Sequence, residues 1–235
     1  MLLLGLDTSG AAVTVALHDG SAVVARRSTL DARRHAELLA PSIEAVLADV
    51  GAVRTDVTGI AVGVGPGPFT GLRAGVVTAR VLGLALQVPV HAVCSHDALA
   101  LQVVADGATG VGPGERFVVA TDARRRELYW AVHVAGTPTA PAPPTRIDGP
   151  HVTAPTDLPD DVRVFGRGAT LYPDVGGVRW QDDGPLDVDA GAVAELVALG
   201  GAARPVAGVE LLPPEPLYLR RPDAAPPGER KRVLR

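Results

Sequence analysis

The sequence predicts an α/β protein made of two similar units, the second of them abbreviated. The first observation is a series of short apolar runs, separated by Gly, Asp and Ser, which is typical of strands. The second is a loop of alternating Gly and Pro that joins an apolar run to a long helical pattern. The first unit is predicted to have strands at 2–6, 13–17 and 21–27, a helix at 32–50, a strand at 59–64, a helix at 71–86, a strand at 88–93 and a helix at 97–104.

The first three strands are predicted to form an antiparallel meander, because only short turns join them. Asp7-Thr8-Ser9-Gly10 makes the first turn and His18-Asp19-Gly20 makes the second. The helix that follows has Asp31 as its N-cap and Gly51 as its stop, and Pro41 should kink it or mark its true start. The order of the first unit is therefore β-β-β-α-β-α.

The loop between the fourth strand and the second helix, 65–75, is open to two interpretations. Thr70 would cap the helix, and backbone N–H groups at such a helix start can bind an anion, which suggests a phosphate cradle. The alternative is a tight turn with close backbone packing. The loop ends Thr70-Gly71-Leu72-Arg73 and so lacks the Gly-Lys-Ser/Thr ending of a P-loop, which favours the turn.

A second unit is predicted in the rest of the chain. A strand at 116–122 ends in Asp, 123–126 forms a turn, and 127–134 returns, so Asp7 and Asp122 lie at the tips of two similar hairpins. Beyond them, the sequence predicts loops and short edge strands in the Pro-rich stretch 135–159, a strand at 163–165 and a short helix over 193–199.

Length and charge restrict the organisation and the function. We expect an N-terminal subdomain, 1–104, and a C-terminal subdomain, 105–235. The net charge of −4 argues against a broad nucleic-acid-binding surface on this chain alone. The tail 220–235 is the exception, with a net charge of +4, and is expected to be a flexible, solvated end or an RNA contact. Neither a signal peptide nor a membrane-spanning run is predicted, so we expect a cytoplasmic protein.

Several chemistries have no support in the residue pattern. The single cysteine, Cys94, cannot form a disulfide framework or a cysteine-built zinc site. The six histidines include no pair four residues apart with a Glu between them, and no Gly-x-Ser-x-Gly elbow is present. We therefore predict no metal and no catalytic residue. Asp7 has the best claim to a polar role, either positioning magnesium and phosphate or closing its own turn.

Four motifs resemble those of the TsaB (YeaZ) family, bacterial proteins needed to make threonylcarbamoyladenosine in transfer RNA. Gly65-Pro66-Gly67-Pro68-Phe69-Thr70-Gly71-Leu72-Arg73 is similar to the family's Gly-Pro-Gly-Ser-Phe-Thr-Gly-Leu-Arg, with Pro68 in place of Ser. The other three are Ser95-His96-Asp97-Ala98-Leu99-Ala100, Asp122-Ala123-Arg124-Arg125-Arg126-Glu127-Leu128-Tyr129 and Pro216-Leu217-Tyr218-Leu219-Arg220.

The resemblance implies a fold, a process and partners. The fold would be that of the actin/Hsp70/sugar-kinase superfamily (ASKHA, ribonuclease H-like), in which the first hairpin faces a nucleotide phosphate. The process would be transfer of a threonylcarbamoyl group to N6 of adenosine 37 in tRNAs reading ANN codons. The chain would be a non-catalytic activator that heterodimerises with the transferase TsaD, its paralogue, in a complex with the ATPase TsaE and tRNA. No cofactor is expected in the chain alone, although ATP or ADP could bind at the complex interface; alone, the chain could form a homodimer.

Two sets of residues follow as candidates for these roles. The candidates for facing a nucleotide or phosphate are Asp7, Thr8, Ser9, Gly65, Gly67 and Thr70. The candidates for the partner interface lie on the two long helices and are His35, Leu39, Ile43, Val46, Leu72, Val76, Ala79 and Gly83.

The second long helix carries more apolar residues than one sheet can cover. One stripe is Leu72, Val76, Ala79 and Gly83, and another is Val77, Val81, Leu84 and Ala85. A helix on a sheet needs one apolar face, so a second face implies another neighbour, either the helix at 39–50 or another subunit. The sequence does not tell which stripe faces the sheet.

Two rival functions are a small ATP-dependent kinase of the same fold using Asp7, and a glycoprotease-type peptidase.

Overall fold

The computed structural model describes residues 1–137, 142–172, 177–200 and 209–220. The basic tail predicted to be flexible falls outside the described residues beyond Arg220. The strands are β1 (Leu3–Asp7), β2 (Ala12–His18), β3 (Val23–Leu30), β4 (Gly59–Gly63), β5 (Val90–Val93), β6 (Arg116–Asp122), β7 (Leu128–Val134), β8 (Thr145–Thr153), β9 (Arg163–Phe165) and β10 (Arg179–Trp180). The α-helices are α1 (His35–Asp49), α2 (Phe69–Leu86), α3 (Ser95–Ala105), α4 (Arg167–Leu171) and α5 (Ala190–Leu199).

Two five-stranded sheets share one topology. The first has the order β3-β2-β1-β4-β5, with β1, β2 and β3 antiparallel and β4 and β5 parallel to β1. The second has the order β10-β9-β6-β7-β8, so β6 occupies the central place that β1 holds in the first. A short helical turn, Pro155–Asp157, stands where the first unit has α1. The fold is α/β and actin-like, and the prediction of two units with an abbreviated second one is confirmed.

Helices cover both faces of the first sheet, which explains why β1, β2 and β4 are buried along their whole length. On one face, α1 and α2 pack against the side chains of Leu4, Leu6 and Ile60. On the other face, α3 and α5 lie in a core that also contains residues of the second sheet, such as Phe117 and Phe165. That shared core joins the two units.

Parts of the chain beyond residue 104 also contact the first unit. Helix α5 packs on β1, β2 and β4, and a Cβ on Gly5 would overlap the Ala190 carbonyl oxygen. Further on, Leu212 pairs with Ala92 beside β5. Helix α5, together with α3, therefore covers the face of the first sheet that α1 and α2 leave open, and the boundary at residue 104 stays a prediction.

Several element boundaries differ from the prediction. Helix α1 is continuous through Pro41, which lies inside it rather than at its start, and Asp31 accepts hydrogen bonds from the N–H groups of Arg33 and Arg34 just before the helix rather than capping it. The Pro-rich stretch predicted to hold short edge strands contains β8, nine residues long, at the edge of the second sheet. Strand β3 extends to Leu30 because its residues pair with β2 up to Ala12.

Helix α2 is long and apolar enough, by length and composition, to cross a membrane, with a mean hydropathy of 1.4 over 18 residues. It packs across the first sheet like a core helix of an α/β protein. Its close approach depends on glycine, because a Cβ on Gly83 would overlap the side chain of Val90 in β5. We therefore interpret α2 as a core helix with one exposed side.

Candidate functional site

The tip of the first hairpin, where β1 ends, is closed by its own hydrogen bonds. Asp7 is 1% exposed, and its Oδ1 accepts hydrogen bonds from the backbone N–H and the hydroxyl of Ser9, both at 2.7 Å. Its Oδ2 accepts a hydrogen bond from the Ser95 hydroxyl at 2.6 Å, and the Ser95 oxygen accepts one from the Gly65 N–H at 2.9 Å. Burial raises the pKa of Asp7, although the hydrogen bonds from Ser95 and Ser9 oppose the rise.

The hydroxyl of Thr8 is inserted against the first turns of α2. It donates a hydrogen bond to the Gly71 carbonyl at 2.7 Å and accepts one from the Gly75 N–H at 3.0 Å. The Gly71 carbonyl and the Gly75 N–H are four residues apart, the spacing of a hydrogen bond within an α-helix. The Thr8 hydroxyl therefore bonds to both members of one such backbone pair. A Cβ on Gly75 would lie 2.5 Å from Thr8 Oγ1, so the hairpin tip can pack this closely on the helix only because residue 75 is glycine.

The Gly-Pro loop folds over the same tip. A Cβ on Gly67 would overlap the Ser9 carbonyl oxygen, and Gly65 has a φ of +100°, so both positions need glycine. Pro68, in an extended conformation, is the residue before α2. The predicted cap at Thr70 is wrong, because the helix already begins at Phe69 and Thr70 lies within its first turn.

The structure shows how exposed each of the phosphate-facing candidates is. It brings them together, but Asp7, Thr8, Ser9, Gly65 and Gly67 are buried against one another and only Thr70 is exposed. The tight-turn interpretation of the loop therefore describes the geometry. Nucleotide binding by this chain stays a prediction.

The difference in the free energy of unfolding between Asp7→Asn and the natural chain is expected to shift in favour of the variant as the pH rises from 4 to 8. Because the pKa of Asp7 is raised in the folded state, the native chain keeps a proton that the unfolded chain has already lost. The contribution of Asp7 to the free energy of unfolding therefore falls as the pH rises from its unfolded pKa through its folded pKa, and asparagine has no such fall. Urea denaturation of both chains across this range tests the effect; a constant or shrinking difference would contradict it.

A cleft of about 250 Å³ lies between the two units, beside the hairpin tips. Asp7, Thr8 and Ser9 do not line it. Its polar lining comes mainly from Asp122 and from the ion pair between Arg167 and Asp187. The full lining is Gly10, Ala11, Ala32, Pro68, Thr121, Asp122, Arg124, Arg167, Leu171, Asp187 and Val188. The second hairpin supplies Asp122 and Arg124, α4 supplies Arg167, and the segment before α5 supplies Asp187, so the charged groups of the cleft come from elements other than the first hairpin.

The tip of the second hairpin is an unusual turn of three arginines. Arg124, Arg125 and Arg126 have φ values of 61°, 56° and 62°, and all three are exposed. The turn is fixed by Asp122, whose Oδ1 accepts a hydrogen bond from the Arg124 N–H at 2.7 Å, and by the Glu127 N–H, which donates to the Arg124 carbonyl at 3.0 Å. Left-handed backbone costs about 1–2 kcal/mol per residue that has a Cβ. Such a conformation concentrates at functional sites.

The C-terminal segment 209–220 forms a strap across both units. The Leu217 N–H donates a hydrogen bond to the Val64 carbonyl at 2.8 Å, and the Tyr218 ring stacks on Phe69 with centroids 4.4 Å apart. Arg220 then donates to the carbonyl of Ala123 at 2.8 Å and forms an ion pair with Glu127 in the second hairpin. Sequence reasoning identified this segment only as a family motif, because nothing local in it predicts where it lies.

A polar cluster is buried near α3. The Nε2 of His133 lies 3.0 Å from Asp97 Oδ1, and the Nε of Arg146 donates to the same oxygen at 3.0 Å. Burial lowers the pKa of His96 to about 3 and raises that of Cys94 to about 12, so both are neutral at physiological pH. Among the described residues, no group of three or more His, Cys, Asp or Glu side chains is arranged to hold a metal ion. We interpret the cluster as structural.

The predicted interface residues lie on the buried faces of their helices. All eight are buried within the chain, where they pack toward the first sheet: His35, Leu39, Ile43, Val46, Leu72, Val76, Ala79 and Gly83. His35 also has its own partner, the carbonyl of Gly10, 3.0 Å from its Nε2. Those side chains are therefore core residues of the chain by itself, and contact between them and a partner stays a prediction. That these two helices bind a partner stays a prediction.

The second apolar stripe of α2 is the exposed one. Val77, Val81 and Leu84 are 55%, 58% and 83% exposed. Beside this stripe, α1 and α2 enclose an apolar groove of about 230 Å³. Its lining comprises Leu4, Ala40, Ile43, Glu44, Leu47, Arg54, Val57, Thr78, Leu82 and Leu86. The exposed stripe of α2 and this groove together make one apolar surface, which we call the apolar docking face because it is the candidate surface for a partner.

Comparisons with known proteins place the chain among relatives of the same fold. The family model described as "TsaD: tRNA N6-adenosine threonylcarbamoyltransferase" matches residues 28–154, more than half of the chain. The tRNA threonylcarbamoyladenosine biosynthesis protein TsaB of Escherichia coli is 35% identical over 131 residues, 56% of this chain and 54% of that protein. The solved structure of YeaZ from Pseudomonas aeruginosa is 27% identical, with a TM-score of 0.73, and covers 93% of this chain and 99% of that one.

The chain belongs to the TsaB (YeaZ) family. Its agreement with YeaZ extends from end to end. An uncharacterized protein of Mycobacterium tuberculosis is 39% identical over 227 residues, 95% of this chain and 94% of that protein. The motifs that resemble TsaB are therefore part of a similarity across nearly the whole chain.

Proposed function

We propose that this TsaB-family chain is a non-catalytic subunit in the synthesis of threonylcarbamoyladenosine in tRNA. It pairs with a TsaD-type transferase and activates it for transfer of the threonylcarbamoyl group to N6 of adenosine 37 in tRNAs reading ANN codons. A TsaE-type ATPase joins through that pair, and the reaction takes place in the cytoplasm. The biosynthetic names of the TsaB relatives support the process.

The observation that carries the pairing is the exposed stripe of α2. Three large aliphatic side chains, Val77, Val81 and Leu84, are more than half exposed on one face of a regular helix. Contiguous apolar surface of this kind usually marks a protein–protein contact. Burying it contributes roughly 25 cal/mol per Å², and no hydrogen bond is lost because these side chains carry no polar group.

The groove beside the stripe indicates the chemistry of the partner surface. Its lining is almost entirely aliphatic, with Glu44 and Arg54 at its edge joined by a hydrogen bond of 2.7 Å. An amphipathic helix with one or two branched apolar side chains fits such a groove. The α1 and α2 surface of a second copy of this chain has the same character, which supports self-pairing when the transferase is absent.

The first hairpin supports a non-catalytic role over the kinase alternative. A kinase of this fold needs a carboxylate that faces magnesium and phosphate. Asp7 is buried and both of its oxygens accept hydrogen bonds within the chain. Any ATP or ADP in the complex would, in this proposal, bind where the cleft between the two units meets the transferase.

Reconstitution tests the proposal. The chain alone is expected to neither hydrolyse ATP nor modify tRNA, and the transferase of the same organism, supplied with threonylcarbamoyl-AMP, is expected to modify unmodified tRNA much faster when the chain is added. Pairing is measured by co-elution in size-exclusion chromatography. ATP turnover by the chain alone that Asp7→Ala abolishes would favour the kinase instead, and cleavage of casein would favour the peptidase. A transferase that neither binds the chain nor responds to it would overturn the proposal.

A further inference from the structure

We infer that the second hairpin and the strap together form a contact surface for the tRNA backbone. This arginine face is defined by Arg73, Arg124, Arg125, Arg126, Arg167 and Arg220, together with Tyr218. The inference rests on the proposed function, because it names the part of the chain that meets the RNA of that reaction.

The arginine face concentrates positive charge on a chain that is acidic overall. Its six arginines form ion pairs with three carboxylates, those of Asp122, Glu127 and Asp187, whereas the whole chain carries a net charge of −4. Three of the arginines, Arg124, Arg167 and Arg220, form ion pairs, and those of Arg167 and Arg220 hold the surface in place. The exposed ones, with Arg124 63% exposed, extend toward solvent, where a phosphate can reach them.

The backbone conformation at the tip of the second hairpin leaves its arginine side chains exposed to solvent. Three consecutive residues in the left-handed region turn the backbone so that Arg124, Arg125 and Arg126 all remain exposed. Glycine or asparagine would occupy such a turn at lower cost. Arginine instead supplies a planar fork that pairs with phosphate oxygens through two parallel hydrogen bonds. The residue type in this turn therefore favours phosphate recognition over turn formation alone.

An aromatic side chain lies beside the cations. Tyr218 is 39% exposed, one face of its ring is covered by Phe69, and its hydroxyl accepts a hydrogen bond from Arg73 Nε at 2.9 Å. Unpaired bases stack on exposed aromatic rings next to cations, which is how proteins bind single-stranded loops of RNA. Adenosine 37 lies in such a loop. A duplex nucleic acid or an acidic peptide has no unpaired base to stack on the ring.

The strap connects the aromatic pair to the arginine turn within a short distance. Tyr218 and Arg220 are two residues apart, so their Cα atoms are at most about 7 Å apart, and Arg220 reaches the Ala123 carbonyl beside the turn. A single stretch of RNA loop can therefore contact both parts. The surface also adjoins the cleft, since Arg124 lines it.

The test removes two charges without removing side-chain length. Arg124→Gln/Arg126→Gln is compared with Arg26→Gln/Arg116→Gln, in which two exposed arginines lie on strands away from the turn. Binding of an unmodified ANN-reading tRNA transcript is measured by filter retention between 50 and 200 mM KCl, on the chain alone and on its pair with the transferase. Thermal melts of each variant report folding.

The turn variant is expected to bind the tRNA at least about tenfold more weakly at the lower salt concentration. Its slope of log affinity against log salt should be smaller by about 1.4, the value for two contacts with single-strand phosphates. Tyr218→Ala should weaken binding about fivefold or more without changing the slope, because stacking releases no counterions. The Arg26/Arg116 variant should match the natural chain.

Equal behaviour of the two double variants, or an unchanged slope, would overturn the inference. The inference would also be overturned if the turn variant lost tRNA binding only because it no longer pairs with the transferase. Co-elution of the variant with the transferase detects that case. If the chain does not pair with the transferase at all, the proposed function fails, while the measurements on the isolated chain still decide whether this face binds RNA.

Discussion

Val76→Arg is expected to abolish cooperative thermal unfolding of the chain, while Val77→Arg, one residue further along α2, leaves the transition nearly unchanged. Val76 is 1% exposed in the core under the first sheet, and an unpaired guanidinium there costs several kcal/mol. Since whole domains are stable by about 5–15 kcal/mol, that substitution removes much of the stability. Val77 is 55% exposed, so its replacement keeps the charge in water.

The same pair of variants separates folding from pairing. Val77→Arg is expected to weaken binding to the TsaD-type transferase by several kcal/mol, because pairing would bury the charge in the apolar docking face. Ile147→Arg is the matched control, since Ile147 is 49% exposed on β8 of the second sheet. Circular dichroism melts and a pull-down with the transferase give the two readouts. If Val77→Arg stays folded and binds as tightly as the control, the docking face lies elsewhere on the chain.

Gly63→Ala is expected to lower the free energy of unfolding by about 3 kcal/mol or more, the upper part of the range for overpacking. Gly63 ends β4 directly under the first hairpin tip. A Cβ there would overlap Asp7 Oδ2 and would lie 2.6 Å from Ser95 Oγ, so the whole hydrogen-bonded tip has to move. For a chain of this length the midpoint of thermal unfolding should fall by roughly 6–12 °C.

Gly107→Ala is the control for this prediction. Its Cβ would meet nothing within 4 Å and its φ is not in the left-handed region, so stability should be unchanged or slightly increased. Combining Gly63→Ala with Asp7→Ala should destabilise less than the sum of the two single changes, because the second removes the atoms that the first displaces. Equal midpoints for Gly63→Ala and Gly107→Ala would refute the closed-tip geometry.

The sequence predicted where along the chain the candidate site lies, but not which of its side chains are buried and which face solvent. The strand that ends in Asp7 and the one that ends in Asp122 are both evident from apolar runs that stop at a turn. The sequence could not show that Ser95, 88 residues away, bonds to Asp7 and closes the first tip. It also could not show that the Arg124–Arg126 turn adopts left-handed backbone, since the residue type argues against it.

The sequence by itself determined the α/β class, the order of elements in the first unit, the repeated hairpin and the family. All of these depend on local patterns, such as period-2 and period-3.6 hydrophobicity and Gly-Pro punctuation, which nearby residues impose on the backbone. Tertiary structure decided which stripe of α2 faces the sheet, where α5 packs and what the strap contacts. Both stripes are apolar, so only packing against the sheet, where Gly83 leaves room for the Val90 side chain, distinguishes them. Contacts between distant segments depend on how whole surfaces fit, and no local pattern encodes that fit.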